Sequence, residues 1–290
     1  MTHYKKWNRH LPSSSDSQVH VGFGSHQLIF DTTLAGRAIS WNYQGIELLG
    51  AAGSDPVEYG FYPMLPWAGR LADNSISVNG ELIQQEINHQ GWAIHGLSFD
   101  RPLTRWHIKE NENSTTFSGE QSIPDWIVPL AVAFTWEIRS DSIETIIEVT
   151  PTGSESAKVV LGWHPWFNKS LGVGLPAKLK IDNAKLLIKL DALPTGDLAD
   201  FDVNHSPFDD AIIVPDKTVI LEWPKASQLR VTNSHEWFVI YTGNKDFVCI
   251  EPQTGAPNSL NGSFGESALT CSMSEPARMT TLWELYSLTD

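Results

Sequence analysis

The chain has 290 residues, 41% of them hydrophobic, and a formal net charge of −14 at pH 7. That acidity argues against nucleic acid and anionic membrane surfaces as partners, because both are bound through basic patches. Two cysteines, Cys249 and Cys271, are too few for a disulfide scaffold, and no apolar run reaches the ~20 residues that span a bilayer, so a cytoplasmic protein is expected.

Residues 1–17 predict a loose polar segment, since Ser13 to Ser17 offers nothing to bury. From residue 18 to 290 the pattern is β almost throughout and predicts one continuous β-sandwich domain. Val19 to Phe30 alternates loosely, and Gly and Thr punctuate Asp31 to Ser40. Ile76 to Glu81 predicts a hairpin with an Asn79-Gly80 turn. Ala131 to Arg139 and Ile143 to Val149 are alternating β-branched and aromatic runs around a short polar turn, the pattern of an antiparallel pair. Lys178 to Ile188 holds an Asp182-Asn183 turn between two runs that mix Leu or Ile with Lys. Further short strands are expected at Thr218–Trp223, Gln228–Thr232, Trp237–Thr242, Phe247–Ile250 and Ala268–Met273, the last paired with Met279–Tyr286. No amphipathic helix of three turns and no fixed-period repeat is visible. Twelve tryptophans suit core packing, and an excess also suits a site that stacks rings on sugar C–H faces.

Several residues are candidates for chemistry. Arg70 follows the small residues Ala68-Gly69, which let backbone approach a ligand, and offers a fixed fork of donors for hydroxyl or carboxylate oxygens. His95, followed by Gly96, suits a strand end opening onto a pocket; His89 and His107 look like solvated loop or edge residues. In Leu161-Gly-Trp-His164-Pro-Trp-Phe-Asn168 one imidazole sits among three large rings. Pro165 holds His164 extended, so His164 shares a face with Trp166 while Trp163 and Phe167 point the other way. Pro165 lacks an N–H, which predicts a strand end or sheet edge. Asp209 and Asp210 point apart on an extended chain, leaving one free to accept sugar hydroxyls and the other to serve a turn. Alternation puts Val248 and Ile250 on one face and Cys249, Glu251 and Gln253 on the other. A Glu that ends a buried apolar run, held extended by Pro252, is costly without partners or a task. No His-Glu-x-x-His, Cys-x-x-Cys, His-x-His, P-loop or Gly-x-Ser-x-Gly motif is present.

Taken in order, Gly69-Arg70-Leu, Ile94-His95-Gly, Trp163-His164-Pro-Trp-Phe-Asn168, Asp209-Asp210 and Glu251-Pro-Gln253 with Pro257-Asn258 resemble the aldose 1-epimerase (galactose mutarotase) family. The chain departs from the usual pattern at Gly69, Leu97, Pro252 and Asn258. The resemblance implies a β-supersandwich of antiparallel sheets with a sugar cleft, no metal or organic cofactor, and a monomer or homodimer. By residue match, Glu251 would be the base and His164 the acid, with Arg70, His95, Asp209 and Gln253 holding an aldohexose such as glucose or galactose. Such a pair needs Glu251 ionised and His164 protonated, which predicts a bell-shaped pH dependence. Two alternatives stand beside it: a hexose-6-phosphate 1-epimerase, disfavoured because Glu58 to Pro63 lacks the Arg expected there, and a non-catalytic carbohydrate-binding protein on the same fold.

Overall fold

The structure is a computed structural model that describes residues 17–50, 55–78 and 80–288. The loose segment expected at the N-terminus, apart from Ser17, and Asn79 of the expected turn lie outside the described residues. Strands dominate: an eleven-stranded and an eight-stranded sheet, both antiparallel in every strand pair, together with two small two-stranded ribbons. Helical structure is confined to short 3-10 turns such as Ala72–Asn74 and Gly265–Ser267, and among the described residues no helix is long and apolar enough to cross a membrane. The all-β supersandwich expected from the chain is thus present.

Alternation explains which face each strand buries. Leu130–Ile138 and Ser142–Pro151 pair antiparallel in the smaller sheet and turn every second residue inward. Their inward rings meet those of the larger sheet. Phe61 is enclosed by Trp41, Trp136, Trp163 and Trp283 at centroid distances of 4.7–6.4 Å, mostly edge-to-face. Such arrangements suit the ring quadrupole. The tryptophan excess is spent mainly here: Trp41, Trp67, Trp136, Trp163, Trp223 and Trp283 are fully buried.

The opposite face of the larger sheet is the one that carries polar residues. At its middle run Phe61–Met64, Gly162–Asn168, Phe247–Gln253 and Trp237–Tyr241, side by side. Trp163 and Phe167 belong to the inter-sheet core, while His164 and Trp166 face the other way, as alternation requires. The edge position expected for Pro165 is wrong, because Gly162–Asn168 is a central strand. Its ladder to Phe247–Gln253 pairs Gly162 with Gln253 and Trp166 with Cys249 but lapses between them. That lapse accommodates Pro165 and Pro252, neither of which has an N–H to give.

One pairing also differs from expectation. Leu269–Cys271 pairs with Ala157–Val159, whereas Ala277–Ser287 lies between Ser142–Pro151 and Ser227–Asn233. The turn at Ser272–Glu275 therefore carries the chain from one sheet to another rather than closing a hairpin. The Asp182-Asn183 turn does the same: Lys178–Lys180 joins the smaller sheet and Lys185–Leu190 the larger, with Asn183 at φ +53°. The missed pairing has a plain cause, since alternation reports faces but not neighbours.

Replacing Phe61 with Ala empties the centre of the aromatic cluster. The expected cost is about 3–5 kcal/mol of unfolding free energy, read as a lower denaturant midpoint at unchanged m-value.

Candidate active site

Sheet register brings the candidate residues together. His164 pairs with Tyr62, and Val239 with Glu251 and Ala211, so these side chains form a row across the face. Counting from the Gly162–Gln253 and Trp166–Cys249 pairs, His164 stands opposite Glu251 at the lapse in the ladder. The next row holds Trp166, Cys249, Tyr241 and Asp209. His164 and Glu251 are 4% and 3% exposed, and Nε2 of His164 lies 3.4 Å from Oε1 of Glu251.

The imidazole is clamped. Tyr62 stacks on it at 4.9 Å and Trp166 at 5.2 Å, with His95 edge-on at 4.8 Å. The indole of Trp166 and the phenol of Tyr62 are themselves fixed, both donating to the Val57 carbonyl. Behind Tyr62 lies Arg37, a fully buried cation. It donates to the carbonyls of Pro56, Tyr59 and Phe99, and its guanidinium carbon sits 4.4 Å from the Tyr59 and Tyr62 ring centroids.

His95 reaches the site through an unusual backbone. At φ +61° it occupies the left-handed region, and Gly96 follows at φ +81°. A Cβ at Gly96 would lie 1.9 Å from the Leu65 carbonyl oxygen, so only glycine fits. His95 and Gly69 bond reciprocally: His95 N–H donates to the Gly69 carbonyl and Gly69 N–H donates to Nδ1. That bond makes Nδ1 the acceptor and leaves Nε2 as the N–H of a neutral ring.

These groups floor and wall a cavity of about 240 Å³, smaller than the ~300–1,000 Å³ of drug-sized sites. Arg70, His95, His164, Asp209 and Glu251 all line it. Gln253 does not: it is 1% exposed and lies beneath Glu251, its amide nitrogen 3.5 Å from Oε2. Both aspartates lie on the strand Asp209–Ile213, so neither serves the expected turn: Asp209 meets Arg70 at 3.1 Å and Asp210 meets Lys189 at 2.9 Å. His107 is exposed as expected, but His89 is not a solvated residue. It lines the cavity with Glu58 and bonds Asp55 at 2.9 Å. His89 lies outside any named strand, so alternation had nothing to act on there, while Lys189 and Arg37 sit on strands, Lys185–Leu190 and Arg37–Tyr43, whose pattern does not mark them. Of the tryptophans, Trp166 alone among the described residues lines this cavity.

Two sets of three metal-capable donors converge among the described residues: Asp55, Glu58 and His89 at the rim, and the buried set His164, Cys249 and Glu251, of which His164 and Glu251 line the cavity.

Burial sets the protonation. It pushes the Glu251 carboxyl well above its ordinary range, with Asp209 adding to the shift. It pulls His164 down to about 3, with Arg37 adding, and pulls His95 far down as well. The expected ionised Glu and protonated His are therefore not the resting state. A protonated carboxyl beside a neutral imidazole carries the same single proton without a dry ion pair.

The site sits in recognisable company. The aldose 1-epimerase family profile matches residues 40–283. Among solved structures, a galactose mutarotase-like protein from Clostridium acetobutylicum superposes with a TM-score of 0.82 at 17% identity, covering 93% of this chain and 95% of that one. Galactose 1-epimerase from Lactobacillus acidophilus gives 0.76 at 15%, covering 93% and 94%. An aldose epimerase homologue from C. elegans gives 0.72 at 13%, covering 94% and 100%. The uncharacterized Escherichia coli protein YphB is 26% identical over 107 residues, 37% of this chain and 36% of that protein.

A carboxyl with a raised folded pKa stabilises the fold fully below its ordinary value of 4.5, and that stability is lost as pH rises through the folded value. Glu251→Gln removes this loss. Its melting temperature should exceed that of the wild type at pH 8 by about 2 °C or more and converge with it near pH 4.5. A variant less stable than wild type at pH 8 would refute the assignment of a buried, strained carboxyl. With the profile spanning most of its length and the sheets matching throughout, this chain belongs to the aldose 1-epimerase family.

Proposed function

We propose that the protein is an aldose 1-epimerase, interconverting the α and β anomers of a neutral aldose. The observation that carries the reading is the buried His164–Glu251 pair on the floor of a cavity walled by Arg70, His95 and Asp209. The pair's single proton first passes from Glu251 to Nε2 of His164; Glu251 then takes the proton from the C1 hydroxyl while His164 gives its proton to the ring oxygen, and the C1–O5 bond breaks to leave an aldehyde and a C5 hydroxyl. Rotation about C1–C2 exposes the other carbonyl face. Closure reverses both transfers, so the pair is restored with its single proton. The substrate carries the proton between the two groups, and each transfer contributes about 10²–10⁴-fold. Arg70 and the Nε2–H of His95 steady the hydroxyls and ease charge on the ring oxygen.

A neutral sugar is favoured by charge. Arg70, Lys189 and His89, the cations and potential cation at the cavity wall, each already face a carboxylate. A phosphate would have to break those pairs. The small cavity also suits one sugar ring.

The pair's one-proton state is the active one. It should persist from the low value of His164, about 3, up to the raised value of Glu251, giving a kcat/KM that is flat between those two limits. Activity falls on the acid side as a second proton binds and on the alkaline side as the last proton leaves. An alkaline fall centred near 6.5 would mean that His164 titrates as an exposed imidazole, against this account.

Polarimetry on freshly dissolved α-D-glucose and α-D-galactose tests the activity. Wild type should hasten the approach to an unchanged final rotation, and Glu251→Gln or His164→Asn should lose about 10²–10⁴-fold in kcat/KM while remaining folded. No acceleration with these sugars, with pentoses or with glucose 6-phosphate would leave a sugar-binding protein instead.

A further inference from the structure

We infer that the floor of the cavity is also a binding site for a thiophilic divalent cation such as Zn2+, held by Nε2 of His164, Sγ of Cys249 and the carboxylate of Glu251, and that its occupation switches the acid–base pair off. The switching-off rests on the epimerase reading above; the binding does not.

The donor atoms of these three buried residues all lie within 4.8 Å of one another. Zinc takes nitrogen and oxygen at about 2.0–2.2 Å and sulfur at about 2.3 Å, which in a tetrahedral site sets donors about 3.3–3.8 Å apart. The His164–Glu251 separation of 3.4 Å already meets that spacing. Cys249 needs to close by about 1 Å at most, within reach of a side-chain rotation. Cys249 and Glu251 are two apart on one strand and so share a face, and His164 faces Glu251 from the next strand. A motif search finds nothing here because the ligands come from two strands.

The chemistry of the set is that of zinc: one imidazole, one thiolate, one carboxylate and an open fourth position toward the cavity for water. On binding, the thiol proton and the single proton of the His164–Glu251 pair leave to solvent. The metal's two charges are then balanced by two anions, which removes the cost of an unneutralised carboxylate in a dry pocket. The ring needs no reorientation, because Tyr62 and Trp166 already hold it with Nε2 toward Glu251. Nδ1 of His164 has no protein hydrogen-bond partner, so the outer support of a resident metal site is missing. The ion is therefore a reversible ligand that competes with the sugar. The rim set, Asp55, Glu58 and His89, offers only oxygen and nitrogen and a partly exposed Glu58, and lacks the thiolate that selects zinc.

Calorimetric titration of the metal-free protein with Zn2+, and absorption spectra with Co2+, test the site directly. Wild type should bind one ion, show a thiolate-to-cobalt charge-transfer band and release protons. Cys249→Ser should lose the band and bind zinc about 10-fold or more weakly. In parallel, zinc should abolish anomer exchange by wild type, EDTA should restore it, and Cys249→Ser should keep a larger share of its own zinc-free rate at the same zinc concentration. No binding, or equal binding by Cys249→Ser without a thiolate band, would overturn the site. Tight binding with unchanged or increased turnover would uphold the site and overturn the acid–base reading.

Discussion

Everything in the site depends on one cross-strand meeting, the 3.4 Å approach of His164 to Glu251 in the middle of the larger sheet. Titratable groups that meet usually do so on loops, where each needs its own support. Here two neighbouring strands supply both, and sheet spacing fixes their separation. The backbone ladder lapses where they meet, and the prolines at 165 and 252 occupy that lapse without forfeiting donors. The cost is electrostatic: a carboxyl and an imidazole share a dry face, and burial pushes both toward neutrality. The strain of the site lies in its protonation equilibrium rather than in a distorted side chain.

Around that pair the molecule divides its labour between layers. Aromatic rings between the two sheets hold the larger sheet rigid, and the same strands present polar groups on the opposite face. Loops then finish the pocket. The reciprocal bonds between Gly69 and His95, and the glycine-only contact at Gly96, set one wall by backbone conformation. The Arg70–Asp209 and Lys189–Asp210 pairs set another by charge.

How much of this the sequence discloses depends on whether a residue sits on a regular strand. Faces were legible: Trp163 against His164, and Ile250 against Glu251, follow from alternation alone. Prolines beside His164 and Glu251 marked both as held in place. Neighbours were not legible. Leu269–Cys271 finds its partner more than a hundred residues away, and nothing local could place Gly162–Asn168 at the centre of its sheet. The charges were read least well. His89 reaches the cavity from a loop, and Arg37 acts from behind Tyr62, so neither carries a local pattern that distinguishes it from a surface residue.

Arg37 has a consequence for motion. Loops that ring a ligand pocket commonly open on their own at little free-energy cost. The segments carrying Pro56, Tyr59 and Phe99 cannot, because each supplies a carbonyl to a guanidinium sealed inside the protein. Detaching either loop would leave a buried cation short of partners, a penalty comparable with that of breaking the core itself. Their amides therefore belong to the slowest-exchanging cooperative unit of the protein, and the back wall of the pocket unfolds only when the whole sandwich does.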